Sequence, residues 1–539
     1  MRALPSVLER VEPFPPALRT RSMPGGKCDR LIEEEQLGIP ILGHYHPVAS
    51  PEFQDTGDPA PALIWADDLF VAVVQGAAPV AQHGSARSRP KDVAERVDAI
   101  LQWHSNICLM RLLILLSWCA SALLAAQGLS KEEAEAARLI DKDGPAAVQL
   151  LEKIVDINSG TYNMPGVIAV DKVLEPEFQA IGFTTRWVNM DSVQRAPSLI
   201  AERKGNRGKR ILLIGHTDTV FEPSSPFQRF ERQGDRALAP GGSDMKGGVV
   251  ILLSALKALH AVGALENSSV TVFLTGDEES AGEPTRISRK EFIEAGQNAD
   301  AALCFEAGVQ QGGKDYVSTA RRGAASWELA VKARSGHSGG IFSESAGDGA
   351  IFELSRILAA FHDTLREPNM TYSVGLVLGG EGVRVDAGGN GSVSGKTNVI
   401  PDDALARGDI RALTPDQLAR VKDKMQSIVS KNLPGTHAEI HIEDKYPPMA
   451  PTEGNKALFA ILNEANRALS VPEEEELDPM LRGAGDISFV APYVASLSGL
   501  GANGSGAHAP GETVDLASLP LESKRAAVLI SRLIQAPRK

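Results

Sequence analysis

The apolar run Ile211-Leu212-Leu213-Ile214 ends in Gly215-His216-Thr217-Asp218, and this junction constrains the chain more than any other stretch. Its length and β-branched content read as a buried strand. Two polar residues, His216 and Asp218, follow at the strand's carboxyl end, where open α/β sheets build their sites. A loop leads to Asp244 in a glycine-rich turn, then to Gly247-Gly248 and an apolar run, 249–259, that predicts a helix. His, Asp and Asp on loops at strand ends make half of a metal site. The rest of the chain has to supply the other half.

From residue 130 the pattern is regular. Helices are expected over 131–141 and 145–157, and strands over 184–188 and 198–202, with a Lys/Gly/Arg turn at 204–209. A strand over 269–274 ends in Thr275-Gly276-Asp277-Glu278-Glu279, and one over 299–305 ends in Glu306. Strands alternating with helices mean an α/β unit with a mostly parallel sheet. Near residue 319 the style changes. Strands at 325–332, 372–378, 403–412 and 437–443 surround helices at 350–365 and 416–431, and His337 lies in a Ser/Gly turn. That is a compact α+β insert of small-domain size. Proline-rich 446–451 reads as the return hinge. A helix at 455–469, a glycine loop at 482–486, a strand near 495–497, His508 in a Gly/Ser/Ala loop and a helix at 522–534 complete the chain. The expected division is a catalytic domain in two parts, 130–318 and 447–539, interrupted by a smaller lid at 319–446.

Residues 1–109 are an irregular Pro-, Arg- and Ala-rich extension with one possible helix at 90–101. Residues 110–126 have the anatomy of a secretory signal: Met110, one arginine, a short apolar core and small residues at Ala120, Ala122, Ala125 and Ala126. The run is shorter than the roughly 20 apolar residues of a spanning helix. The expectation is that Met110 is the true start and that the protein is periplasmic or secreted. Without that start the run is a buried or interfacial helix and the protein is cytoplasmic. Of four cysteines, only Cys304 lies beyond residue 126, so no disulfide framework is expected. The net charge of −13 argues against nucleic acid or an anionic membrane as a partner, and no stable membrane anchor is expected.

Five residues have the ligand chemistry of a pair of zinc ions: His216, Asp244, Glu279, Glu306 and His508. Four of them follow or lie near expected strand ends, so one rim can collect them. Two metals need a bridging carboxylate, and Asp244 in its glycine turn is the candidate. Asp218 is placed to accept the His216 proton and fix its tautomer. Glu278 and Glu279 are adjacent, so on an extended segment they point opposite ways. Glu279 is assigned to metal and Glu278 to proton transfer as general base and acid.

The motifs Gly215-His216-Thr217-Asp218-Thr219-Val220, Gly242-Ser243-Asp244-Met245-Lys246-Gly247-Gly248, Gly276-Asp277-Glu278-Glu279-Ser280-Ala281-Gly282, Phe305-Glu306 and Gly506-Ala507-His508 resemble, in order, the metal-site motifs of one family. It is the di-zinc metallohydrolases that include glutamate carboxypeptidase, acetylornithine deacetylase, succinyl-diaminopimelate desuccinylase and aminoacylase. The resemblance runs from about residue 130 to the C-terminus. It implies a zinc-exopeptidase-like α/β catalytic domain with an α+β lid that often dimerises, and two Zn²⁺ per chain with Co²⁺ or Mn²⁺ as substitutes. It implies the same five ligands, with Asp218 orienting His216 and Glu278 as acid/base. On the lid it makes His337 an oxyanion-stabilising residue, commonly for a partner subunit's site. It makes Asn398 and Arg411 holders of a substrate carboxylate, and Gly485 part of a substrate-lining loop. Ser243 and Ala307 depart from the family pattern. They leave the substrate open between a small peptide, cleaved next to a free carboxylate, and an N-acyl amino acid. A non-catalytic metal-binding dimeric scaffold is the reading from another class. Retention of the proposed base with all five ligand-type residues speaks against it.

Overall fold

The computed structural model describes residues 128–386 and 388–538, all within one unit, Ala99–Lys539. The irregular extension 1–109 and the signal-like run 110–126 lie outside the described residues.

A six-stranded sheet runs in the order Thr184–Val188, Ser198–Arg203, Ser268–Thr275, Arg207–His216, Ala301–Cys304, Ser496–Ser498. The last four strands are mutually parallel. The first two pair antiparallel at one edge. Register aligns His216 with Thr275 and Ile214 with Cys304, which in turn pairs with Ser498. The carboxyl ends of the parallel strands therefore share one rim, and whatever follows each strand meets there.

Alternation along Arg207–His216 explains the uninterrupted apolar run. Ile211 and Leu213 belong to one core, with the helices Lys131–Val155, Gly247–Ala261 and Ser518–Gln535. Leu212 and Ile214 belong to another, with Phe273, Phe292 and Ile487. Successive side chains point to opposite faces, so a strand covered on both sides is apolar throughout.

Two expected helices, 131–141 and 145–157, are one: Lys131–Val155 runs through Pro145. An interior proline costs a helix about 3 kcal/mol. Burial of Ala136 and Ile140 before it and Leu151, Ile154 and Val155 after it outweighs that cost. A capping box fixes the start, with Ser130 Oγ accepting from the Glu133 amide. The helix Met164–Ala180 has a weak sequence signal because Pro165, Gly166 and Pro176 interrupt it, although Val167, Val170, Leu174 and Phe178 keep helical spacing.

The insert is a five-stranded antiparallel sheet in the order Gly391–Ser394, Thr371–Val385, Asp403–Arg411, Ala324–Ala333, Thr436–Tyr446. The helices Ala350–Thr364 and Pro415–Val429 close its own core around Trp327, Leu329, Ile357, Phe361 and Val421. The strand expected at 372–378 extends to Val385, where it pairs with Gly391–Ser394. Gly379, Gly380 and Gly382 had obscured its second half. No helix among the described residues is long and apolar enough to cross a membrane.

Candidate active site

His216 is the last residue of its strand and is buried. Its Nδ1 lies 3.1 Å from the Asp218 carbonyl oxygen and 3.3 Å from Asp218 Oδ1. Its Nε2 faces Asp244 Oδ1 at 3.3 Å, Glu306 Oε1 at 3.8 Å and Glu278 Oε2 at 4.0 Å. Across from it, His508 Nε2 lies 3.1 Å from Asp244 Oδ2 and 3.2 Å from Glu279 Oε2. Asp244 thus presents one carboxylate oxygen to each histidine. Glu278 and Glu279 lie in a turn rather than on extended backbone. Even so their carboxylates diverge, Glu278 toward His216 and Glu306, Glu279 toward Asp244 and His508.

The supports are largely long-range. Asp218, fully buried, accepts the Glu278 amide at 3.1 Å, the Glu279 amide at 3.1 Å and Thr161 Oγ1 at 2.6 Å. It therefore positions the acidic turn as well as His216. The Asp244 turn wraps around Glu512, whose carboxylate accepts the amides of Gly241, Ser243 and Asp244 and the Ser243 hydroxyl. That bond gives Ser243, unusual for the resemblance, a definite task. Lys246 is buried and its Nζ donates to the carbonyls of Ile154 and Ile157, satisfying the end of the Lys131–Val155 helix. Behind Glu278, Arg289 joins Asp277 at 2.7 Å to Asp486 at 2.8 Å, and Asp486 also accepts from Thr275. Tyr446, the last residue of the strand Thr436–Tyr446, donates its hydroxyl to the Glu278 carbonyl at 3.1 Å. A Cβ on Gly248 would lie 1.8 Å from the Phe305 carbonyl, so only glycine lets the helix approach the strand end that carries Glu306.

Charge is concentrated here. Burial alone would push the His216 imidazole down, but its Asp218 and Asp244 bonds outweigh that and hold it well above its ordinary value. Hydrogen bonds to Asp244 and Glu279 raise His508 to about 11. Burial raises Glu279 to about 6. Burial, with Glu306 beside it, raises Glu278 well above the usual carboxylate range. Asp244 is held below that range despite burial, because both histidines donate to it.

The insert's residues are placed differently. His337 is exposed, and its Nδ1 accepts the Gly339 amide at 3.1 Å. Gly336–His337 pairs with Val399–Ile400, which sets Asn398, also exposed, beside it. Arg411 ends its strand and bonds Asp409 at 2.9 Å. Among the described residues, none of these three makes a hydrogen bond or ion pair with the rim residues. Gly485 is close-packed: a Cβ there would lie 2.8 Å from Arg321 Nη1. Arg321 holds that loop through the Gly483 and Ala484 carbonyls and Ser498 Oγ.

Residues 212–532 match the model of Peptidase family M20/M25/M40. The chain belongs to this family. Carboxypeptidase G2 of Pseudomonas sp. (strain RS-16) is 28% identical over 401 residues, covering 72% of this chain and 89% of that protein. A succinyl-diaminopimelate desuccinylase of Methylocella silvestris is 30% identical over 258 residues, covering 46% of this chain and 63% of that protein. The structure of a dinuclear metal-binding M20 peptidase from Bacillus subtilis matches with TM-score 0.51 at 15% identity, over 74% of this chain and 99% of that one. The protein is a hydrolase of the metallocarboxypeptidase-like kind. That Bacillus subtilis peptidase is dinuclear, and the donor set of this chain fits such a centre. The groups His216–Glu278–Glu306 and His216–Asp244–Glu279 each bring ligand atoms within 4.8 Å of one another. Glu279 Oε1 is buried with no hydrogen-bond partner, as an oxygen awaiting a cation is.

Proposed function

We propose that this M20 hydrolase is a di-zinc carboxypeptidase that cleaves an amide next to a free carboxylate, with C-terminal glutamate the residue to test first. The observation that carries the reading is Asp244 set between His216 and His508, with the Glu278 carboxyl alongside. Two imidazoles and three carboxylates suit zinc, with Co²⁺ or Mn²⁺ as substitutes. His508, Asp244 and Glu279 would hold one ion, and His216, Asp244 and Glu306 the other. The ions would supply Lewis-acid polarisation of the scissile carbonyl and acidify water at neutral pH. Glu278 takes a proton from the attacking water and returns it to the departing amine. Burial beside Glu306 raises its carboxyl above the usual carboxylate range, which suits a group that must give a proton as well as accept one. Asp218 keeps His216 in the tautomer that offers Nε2 to a metal.

The insert is assigned the family's lid role, with His337 serving the oxyanion and Asn398 and Arg411 contacting the substrate. Exposed Phe342, Ile351, Phe352, Val374 and Val377 on the insert support a homodimer formed through it. In such a dimer His337 reaches the other subunit's site. A second reading, N-acyl amino-acid deacylase, is favoured by the likeness to the desuccinylase.

Metal content measured alongside product release decides between them. About two zinc ions per chain with chelator-sensitive release of glutamate from a C-terminal glutamate amide supports the carboxypeptidase. The same metal content with acetate or succinate released from N-acyl amino acids, and no action on peptides, selects the deacylase. Turnover by folded protein free of metal overturns both.

A further inference from the structure

We propose that Arg482 recognises the carboxylate that neighbours the scissile amide. This rests on the hydrolytic reading above and names a residue that reading leaves unused. Arg482 lies beside the rim, its Nη2 3.7 Å from Glu306 Oε2, beyond hydrogen-bond reach. Its side chain is 17% exposed and its Nε is buried with no partner. Among the described residues the guanidinium makes no hydrogen bond. A mostly buried guanidinium has five donors, and native structures seldom leave such donors idle.

The arginines around it are committed. Arg321 spends Nε, Nη1 and Nη2 on Gly483, Ser498 and Ala484, and so fixes the loop that carries Arg482. Arg322 bonds Thr371 and the Met480 carbonyl. Arg411, which the resemblance assigns to a substrate carboxylate, is already paired with Asp409 at 2.9 Å. An incoming anion occupies the idle donors. A planar guanidinium takes a carboxylate two-pronged, which selects for shape as well as charge.

N-acetyl-glutamate and its α-carboxamide analogue separate recognition of the carboxylate from chemistry, since both offer the same amide. Metal-loaded wild type prefers the free carboxylate. Arg482→Gln raises KM for it by about 30-fold or more, the loss expected for a buried charge-assisted pair. The carboxamide is unaffected, and metal content stays at the wild-type value. Arg482→Lys keeps the charge but not the fork and falls between. An unchanged preference in Arg482→Gln, or an equal loss of kcat on both substrates, overturns the proposal. If the preference vanishes in Arg411→Gln instead, Arg411 is the reader and the proposal fails. Calorimetric titration of glutarate into the metal-loaded full chain reads the same site without turnover. Weaker binding to both Arg482 variants supports the assignment, and equal binding refutes it. Absence of turnover by wild type on any amide would count against the hydrolytic reading alone, while the glutarate result still decides Arg482.

Discussion

At the ends of the parallel strands, His216, Asp244, Glu278, Glu279, Glu306 and His508 interlock at 3.1–4.0 Å. On the insert, His337, Asn398 and Arg411 are exposed or paired with their own neighbours. In the first set His216, Glu278, Glu279 and Glu306 are placed by sheet register, since one parallel ladder aligns His216 with Thr275 and Ile214 with Cys304, and the Asp244 turn is held by Glu512. The second set is placed by a separate core. A site needing both must gain its second half by movement of the insert or from another copy of the chain. Fixed and delivered residues should therefore fail in different ways when mutated.

The largest expected effect is at the rim. Glu278→Ala should lower kcat by about 1,000-fold or more, in the upper range for loss of a general acid/base. Metal content should remain near the wild-type value, since five other residues supply the proposed ligands. Unchanged turnover would remove Glu278 from the mechanism.

His337→Ala should lower kcat by about 100-fold, as losing one oxyanion donor does, with metal content untouched. The revealing experiment mixes it with Glu278→Ala protein. If His337 serves the partner's site, each mixed dimer keeps one intact site, and the mixture should recover roughly a quarter of wild-type activity. If His337 serves its own subunit, no activity returns. Recovery would show that the insert's residues are delivered between copies, and its absence would point to closure within one chain.

Glu512 tests how far the rim depends on supports outside the ligand set. Glu512→Gln removes an acceptor oxygen from a carboxylate that gathers three amides and the Ser243 hydroxyl. Metal affinity should fall about 10- to 100-fold, the usual cost of disturbing groups that orient ligands. Competition titration against a chelator reads it, and wild-type affinity would mean that the turn holds Asp244 unaided.

What could be read beforehand follows the same division. His216, Glu279 and Glu306 were legible because an apolar strand closing on a polar residue is a local pattern. Their supports were not. Glu512 meets Asp244 across 268 residues and Arg289 meets Asp486 across 197, so no spacing announces either. Glu512 did carry a faint signal, four residues past His508 in the same glycine-rich loop. Arg289 and Arg321 carried none, lying in ordinary polar segments. The insert's elements were legible from alternation and amphipathic spacing. The position of His337 relative to the rim was not, because the way one core packs beside another leaves no trace in local sequence. The edge of the main sheet also escaped, since an antiparallel pair at one side of a parallel sheet depends on which neighbour a strand chooses.

The smallest effect predicted is a titration, and it separates the two regions by protonation alone. In the metal-free rim, Asp244 and Glu279 hold His508 protonated up to about pH 11, and burial keeps Glu279 protonated below about 6. A metal binds neutral imidazole and ionised carboxylate, so it must displace those protons. At pH 7.5 His508 is still protonated and Glu279 is not. Uptake should release the histidine protons, and affinity should rise with pH by about tenfold per unit for each proton displaced. At pH 5.5 Glu279 carries a proton as well, so release should be larger and the pH slope steeper. Calorimetry of zinc binding in two buffers of different ionisation enthalpy counts the protons at each pH. His337→Ala should leave both counts unchanged, because His337 contacts no ligand candidate among the described residues, whereas Glu279→Gln should abolish the excess at pH 5.5. Zinc uptake without proton release at pH 7.5 would mean that His508 is neutral beforehand, and that its pairing with Asp244 and Glu279 is not what prepares the site.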